Sequence, residues 1–157
     1  MKSFITFILL IFLPLLGGKI SAFITGDMVG LYDVMILPPL SPAPIVFPIV
    51  WVVLYLLMGF SSWLVYRRAQ KEQKSAGKYL FPYGVQLAVN FCWTPIFFGA
   101  EAYWLGALMS IVLFLTIIWM TIRFSQICKL AAWLQVPYML WSLFAVYLSF
   151  GVAVLNP

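Results

Sequence analysis

Few side chains in this sequence could do chemistry. There is no histidine, which excludes imidazole catalysis, the commonest haem axial ligand and most zinc or copper sites. The acidic residues are Asp27, Asp33, Glu72 and Glu101. They are too few and too scattered for a paired-carboxylate mechanism or a carboxylate metal site. Cys92 and Cys128 form no CxxC motif. No metal and no cofactor is expected. Aromatic residues are plentiful instead: Phe 14, Tyr 8 and Trp 7. Trp51 and Tyr55 lie four apart. Asn90, Trp93 and Phe97 follow at i, i+3 and i+7, with Gln86 four residues before Asn90. Tyr138 and Trp141 are three apart, and Ala145 comes four later. Each set falls on one face of a helix. Aromatic walls with a few polar groups make a site for a flat, mostly apolar ligand.

The elements that must position these residues follow from composition. Hydrophobic residues are 65% of the 157, charged residues 8%, and the mean hydropathy is +1.07. Soluble domains are roughly 45–50% apolar and about 25% charged, and disorder needs low hydrophobicity. The chain reads as an all-α integral membrane protein. At about 20 residues per span, five or six spans fit. Five are expected in one domain over residues 1–157: Phe4–Phe23, Ile45–Tyr66, Tyr79–Phe98, Trp104–Ile122 and Leu130–Leu155. The first run also fits a secretory signal, but it is long for one and no clean A-x-A site follows. Residues 24–44 form a long connection with Pro38, Pro39, Pro42 and Pro44. Prolines so dense favour a stiff, extended segment, which could serve as a lid. Pro137 is expected to bend the fifth span.

With five spans, Lys2, Arg67, Arg68, Lys71, Lys74, Lys78, Arg123 and Lys129 share one side, while Asp27, Asp33 and Glu101 share the other. The positive-inside rule then puts the N-terminus inside and the C-terminus and the proline-rich lid outside. The basic residues flank spans, so they read as topology, not as a nucleic-acid surface. The Arg67–Lys78 segment could also meet a partner or anionic lipid. Cys92 and Cys128 should lie some 20 Å apart along the bundle, beyond the roughly 7 Å between Cα atoms that a disulfide allows, so two free thiols are expected.

Trp51 and Asn90 lie roughly 9–12 Å inside the outer ends of their spans, with Trp141 deeper. An intramembrane asparagine faces the bundle interior, because an unbonded amide is costly in lipid. The three can converge on a cavity opening toward the lid. Spacing alone leaves plain helix packing open as the other reading. Trp63, Trp104 and Trp133 fit interfacial anchors better than a ligand site. Gly84-xxx-Ala88 and Gly106-xxx-Ser110 suit close helix contact within or between subunits.

Three stretches resemble the TspO/translocator-protein family, the tryptophan-rich sensory proteins or peripheral benzodiazepine receptors. They are Phe47-Pro48-Ile49-Val50-Trp51-Val52-Val53-Leu54-Tyr55 with the following Leu56–Gly59, Gln86–Phe98 around Asn90-Phe91-Cys92-Trp93-Thr94-Pro95, and Ala131–Leu148 around Trp133-Leu134-Gln135-Val136-Pro137-Tyr138. The resemblance covers nearly the whole chain. It implies a five-helix bundle, often a homodimer, with a pocket under the first loop. Family ligands are porphyrins such as protoporphyrin IX, sterols, and synthetic benzodiazepine or isoquinoline carboxamide compounds. Its pocket tryptophans match Trp51 and Trp141, its pocket asparagine matches Asn90, and Tyr32, Tyr55, Trp93 and Ala145 match further lining positions. The family's K-P-x-W-x-P-P pattern is reduced here to Leu37-Pro38-Pro39-Leu40-Ser41-Pro42-Ala43, without the lysine and the tryptophan. No basic residue follows Tyr147, so the family's C-terminal sterol pattern is missing, although Leu64-Val65-Tyr66-Arg67-Arg68 fits a loose version of it.

Three functions are therefore carried forward. The first is a tetrapyrrole-binding membrane protein, acting in transport or stress sensing. The second, which the resemblance also implies, is light- and oxygen-dependent porphyrin degradation with Trp51 and Trp141 as redox participants. The third is a regulatory membrane partner protein with an incidental pocket.

Overall fold

The computed structural model describes residues 2–157. Among the described residues there are seven α-helices and one π-helical turn, and no strand. In chain order these are α1 (Lys2–Thr25), α2 (Met28–Val34), α3 (Val46–Lys71), α4 (Ala76–Thr94), the π-helical turn Pro95–Gly99, α5 (Tyr103–Ser125), α6 (Lys129–Trp133) and α7 (Val136–Leu155). Four stretches are long and apolar enough to cross a membrane: Phe4–Thr25, Val46–Lys71, Tyr103–Ser125 and Lys129–Leu155. The remaining expected span, 79–98, is α4 with its π-helical turn. It is the helix that carries Gln86, Asn90 and Lys78.

Helix α1 packs on α3 and α4, α4 on α5, and α5 on α7, while α6 reaches α3 and α5. Helices α3 and α7 touch only lightly. The core lies where α3, α4, α5 and α7 meet, around Tyr55, Met58, Leu87, Ile117, Met120 and Tyr138. Where α1 crosses α3, Gly59 is required. A Cβ there would lie 2.7 Å from the Ile11 Cα and 2.7 Å from the Leu10 carbonyl oxygen.

Prolines shape the contacts between α1 and α4. Pro14, inside α1, has no N–H to offer the Leu10 carbonyl four residues back, and the Tyr83 hydroxyl donates to that oxygen at 2.8 Å. Pro95 likewise cannot donate to the Phe91 carbonyl, which accepts from the Ser21 hydroxyl at 2.7 Å. Each proline thus frees an acceptor on one helix, and a hydroxyl on the other helix satisfies it. In lipid a free carbonyl would cost several kcal/mol, so these two bonds specify how α1 and α4 are set together.

The lid differs from the expected extended strap. Helix α1 runs on to Thr25, Gly26 turns the chain at φ +85, and the Asp27 carboxylate caps α2 by accepting from the Gly30 N–H at 2.9 Å. The first part of the segment is therefore helical, because an Asp cap precedes an apolar stretch without proline. Only the part from Met35 onward, where the prolines sit, is extended and turned. The expected fifth span is also interrupted. The chain breaks around Leu134–Gln135, and Pro137 lies in the first turn of α7, where its missing N–H costs nothing. Cys92 and Cys128 are free thiols. Trp104 and Trp133 are exposed, whereas Trp63 lies between Phe7 and Phe60 with the Arg67 guanidinium 5.0 Å over its ring. Glu72 accepts from Arg68 at 2.5 Å and from Lys74 at 2.7 Å. Those bonds hold its carboxyl below the usual carboxylate range and close the turn after α3.

Candidate ligand-binding site

The polar stripe of α4 and the aromatic stripes of α3 and α7 meet in the core. The Tyr55 hydroxyl donates to Asn90 Oδ1 at 2.9 Å. Asn90 Nδ2 donates to the Tyr138 oxygen at 3.1 Å, and the Tyr138 hydroxyl donates to Gln86 Oε1 at 2.9 Å. Gln86 Nε2 then meets Met58 Sδ at 3.5 Å. All five residues are buried. Deeper in the bundle, Gln135 Nε2 donates to the Ser61 hydroxyl, and Ser61 and Ser62 return to the Met58 carbonyl. A chain of polar groups thus ties α3, α4 and α7 together. Trp51 packs over it, 5.4 Å from the Tyr55 ring and 6.1 Å, edge-on, from Tyr138.

A cavity of about 40 Å³ lies beside this network, directly under the lid. Tyr32, Phe47, Trp93, Phe97 and Ala145 line it, together with residues of the lid and of α7. Its walls are held from several directions. Trp93 stacks on Phe97 with centroids 4.8 Å apart, and its indole N–H donates to the Gly106 carbonyl of α5 at 2.9 Å. The Tyr32 hydroxyl donates to the Pro42 carbonyl at 2.8 Å, which closes the lid on itself. Burial raises the Tyr32 pKa, and a hydrogen bond with the Ser41 side chain partly offsets the rise. The phenol therefore stays a neutral donor at physiological pH. Ser149 also borders the cavity, but its hydroxyl is bonded to the Ala145 carbonyl at 2.7 Å. The walls are thus apolar in effect.

The expected residues, all from helical spacing except Tyr32, which the resemblance supplied, divide into two groups. Tyr32, Trp93, Phe97 and Ala145 line the cavity. Tyr55, Asn90 and Tyr138 bond one another below it, with Trp51 against them. Trp141 stands between the groups, half-buried and 6.0 Å, edge-on, from the Phe47 ring of the cavity wall. The amide of Asn90 is spent on two tyrosines, so it presents no free group to the space above. Phe47 is the residue that spacing had missed. It lies four before Trp51 on the same stripe of α3, so the stripe could have been continued upward. Leu148 and Val152 likewise continue the stripe of Trp141 and Ala145. Met35 and Leu37, which close the cavity from the lid, carry no periodic signal.

A cavity of about 40 Å³ holds one water and little more, whereas sites for drug-sized ligands measure roughly 300–1,000 Å³. As it stands, the space is too small for such a guest. Enlarging it means lifting the lid and parting α3 from α7, which touch only lightly.

Comparison with known proteins supplies the relationship. The family model of the TspO/MBR family matches residues 10–155. The chain is 32% identical over 127 residues to the tryptophan-rich protein TspO of Chlorobaculum tepidum, covering 80% of this chain and 79% of that one. It is 35% identical over 126 residues to the protein CrtK of Rhodobacter capsulatus, covering 80% and 78%. It is 32% identical over 140 residues to the human translocator protein, covering 88% and 83%. These matches, taken with the apolar helices, make the chain an integral multi-pass membrane protein belonging to the TspO/MBR family.

Proposed function

We propose that the protein binds a tetrapyrrole of the protoporphyrin IX kind in the aromatic hollow between the lid, α3, α4 and α7, and that it acts in porphyrin transport or stress sensing. The observation that carries the reading is the aromatic cavity under the lid, with Trp141 packed edge-on against its Phe47 wall. Flat rings on Phe47, Trp93, Phe97 and Trp141 suit a flat macrocycle, and the walls offer it no charge. The macrocycle's propionates would point outward, to backbone N–H groups, hydroxyls or water at the lid. A sterol is the alternative apolar guest of the same hollow.

In this reading α4 is a fifth span. Its polar side chains Gln86 and Asn90 are buried in the network, while Phe81, Gly84, Ala88 and Cys92 make an apolar exterior. The one-sided distribution of lysine and arginine then puts the N-terminus inside and the lid outside. A homodimer belongs to the same reading. Gly106 packs against Phe97 and Ser110 is buried within the chain, which leaves Gly84, with open space around it, and exposed Ala88 for a second copy.

The test is a titration of intrinsic tryptophan fluorescence with protoporphyrin IX in detergent or nanodiscs. Wild type is expected to quench saturably. Ala145→Phe, which fills the hollow, and Trp141→Ala, which removes the indole packed against the Phe47 wall, are expected to weaken binding up to about tenfold, as loss of one good aromatic contact allows. Equal curves for all three proteins would remove the ligand from this site.

A further inference from the structure

Among the described residues, the side-chain hydrogen bonds that tie the lid to the rest of the bundle come from the second half of α7 and from Asn156, which caps it. Ile36, in the extended stretch after α2, gives both of its backbone groups to one side chain. Its N–H donates to Asn156 Oδ1 at 3.0 Å, and its carbonyl accepts from Asn156 Nδ2 at 2.9 Å. The second hydrogen of that Nδ2 goes to the Val152 carbonyl at 2.9 Å. The amide is therefore held in one orientation, and it pairs with the lid as a neighbouring strand would. Farther back on α7, the Tyr147 hydroxyl donates to the Pro39 carbonyl at 2.8 Å. Between these two points Gly151 lets Pro38 lie on the helix, since a Cβ there would meet the Pro38 Cβ at 2.5 Å. One end of the lid joins α1 through Gly26, where φ is +85 and nothing stands within 4 Å of a Cβ position. The other end runs into α3, and the stretch between, at Ile36–Pro39, is the part fastened to α7.

We infer that Asn156, helped by Tyr147, is a latch that sets how often the lid lifts, and so governs both the rate and the affinity with which a flat amphiphile enters the hollow. The inference rests on the proposed function. A guest larger than the cavity of about 40 Å³ binds only the lifted state. Its apparent dissociation constant is then the intrinsic one divided by the fraction of protein with the lid lifted. Weakening the latch raises that fraction. Deleting these contacts must tighten binding, the opposite of what deleting a ligand contact does. The Asn156 and Tyr147 bonds are exposed, so water replaces them when they break and each contributes modestly. Loss of the Asn156 pair is worth about three- to tenfold in the lifted fraction.

Two variants and two readouts test this. Asn156→Ala removes the bonds at a residue at the very end of α7. Asn156→Asp keeps the shape and the acceptor for the Ile36 N–H, but turns its second oxygen toward the Ile36 and Val152 carbonyls. The first readout is hydrogen exchange of lid peptides covering residues 35–42, without any ligand. The second is stopped-flow quenching of tryptophan fluorescence by protoporphyrin IX. Faster lid exchange in both variants, with association about three- to tenfold faster and a correspondingly lower dissociation constant, supports the latch. Unchanged exchange overturns it, and so does faster exchange with unchanged or weaker porphyrin binding. If protoporphyrin IX binds neither wild type nor variants, the proposed function fails, and the lid exchange alone then decides whether Asn156 fastens the lid.

Discussion

Replacing Tyr138 by phenylalanine removes a single oxygen atom from the centre of the bundle. That oxygen accepts from Asn90 Nδ2 at 3.1 Å and donates to Gln86 Oε1 at 2.9 Å. The ring is fully enclosed, at 1% exposure, so no water replaces the lost partner. Two amide groups on α4 are orphaned at once. Hydrogen bonds between helices in a membrane average about 0.6 kcal/mol and reach about 1.7, so two of them predict a loss of roughly 1–3 kcal/mol. Tyr55→Phe removes only the bond to Asn90 Oδ1, and predicts about half as much. The two substitutions share Asn90, so their effects should not add. Unfolding by SDS titration from mixed micelles, followed by circular dichroism or tryptophan fluorescence, measures all three losses. The order expected is Tyr138→Phe below Tyr55→Phe below wild type, with the double variant less damaged than the sum. If Tyr138→Phe were as stable as wild type, the network would not be holding α3, α4 and α7 together, and the account of why Asn90 faces inward would fail.

Other outcomes follow from the same coordinates. Tyr83→Phe leaves the Leu10 carbonyl, already deprived of a donor by Pro14, without a partner; it should cost about 1–2 kcal/mol, measured in the same SDS titration. Gly59→Ala pushes a methyl group against α1 backbone at 2.7 Å, where no flexible side chain can yield. It should destabilise by roughly 1–3 kcal/mol and free α1 for proteolysis. Illumination separates binding from photochemistry. If Trp51 and Trp141 transfer electrons to an excited porphyrin, the Trp51→Phe/Trp141→Phe protein loaded with the same amount of protoporphyrin IX should bleach it more slowly under oxygen, and equal bleaching rejects a degrading role for these indoles.

Much of this protein is legible in its sequence because lipid imposes simple terms. Runs of apolar residues must become helices, since backbone groups in hydrocarbon have no other partner, and the expected spans 4–23, 45–66, 104–122 and 130–155 all lie within helices Lys2–Thr25, Val46–Lys71, Tyr103–Ser125 and the Lys129–Leu155 run, apart from their ends. The helical spacing of Trp51 with Tyr55, and of Gln86 with Asn90, put these residues on shared faces, and burial follows from the cost of an unbonded amide. The lid was harder to read, because its prolines dominated the expectation while a short capped helix, invisible to composition, occupies its first part.

What the sequence could not determine was partnership. Periodicity states which side of a helix a residue occupies, but not how far that helix is rotated or which neighbour it meets. Spacing left Asn90 open to a ligand or to another helix, and only the tertiary structure brings Tyr55 from α3 and Tyr138 from α7 into hydrogen bonds with its amide. Pro14 and Pro95 marked two carbonyls that would lack donors, yet nothing local named Tyr83 and Ser21, some seventy residues away in the chain, as the hydroxyls that reach them. Local sequence decides where the backbone is helical, and where a polar group must be satisfied. The packing of whole helices, set by glycine contacts and aromatic volume, decides which side chain arrives to satisfy it and how much space is left beneath the lid.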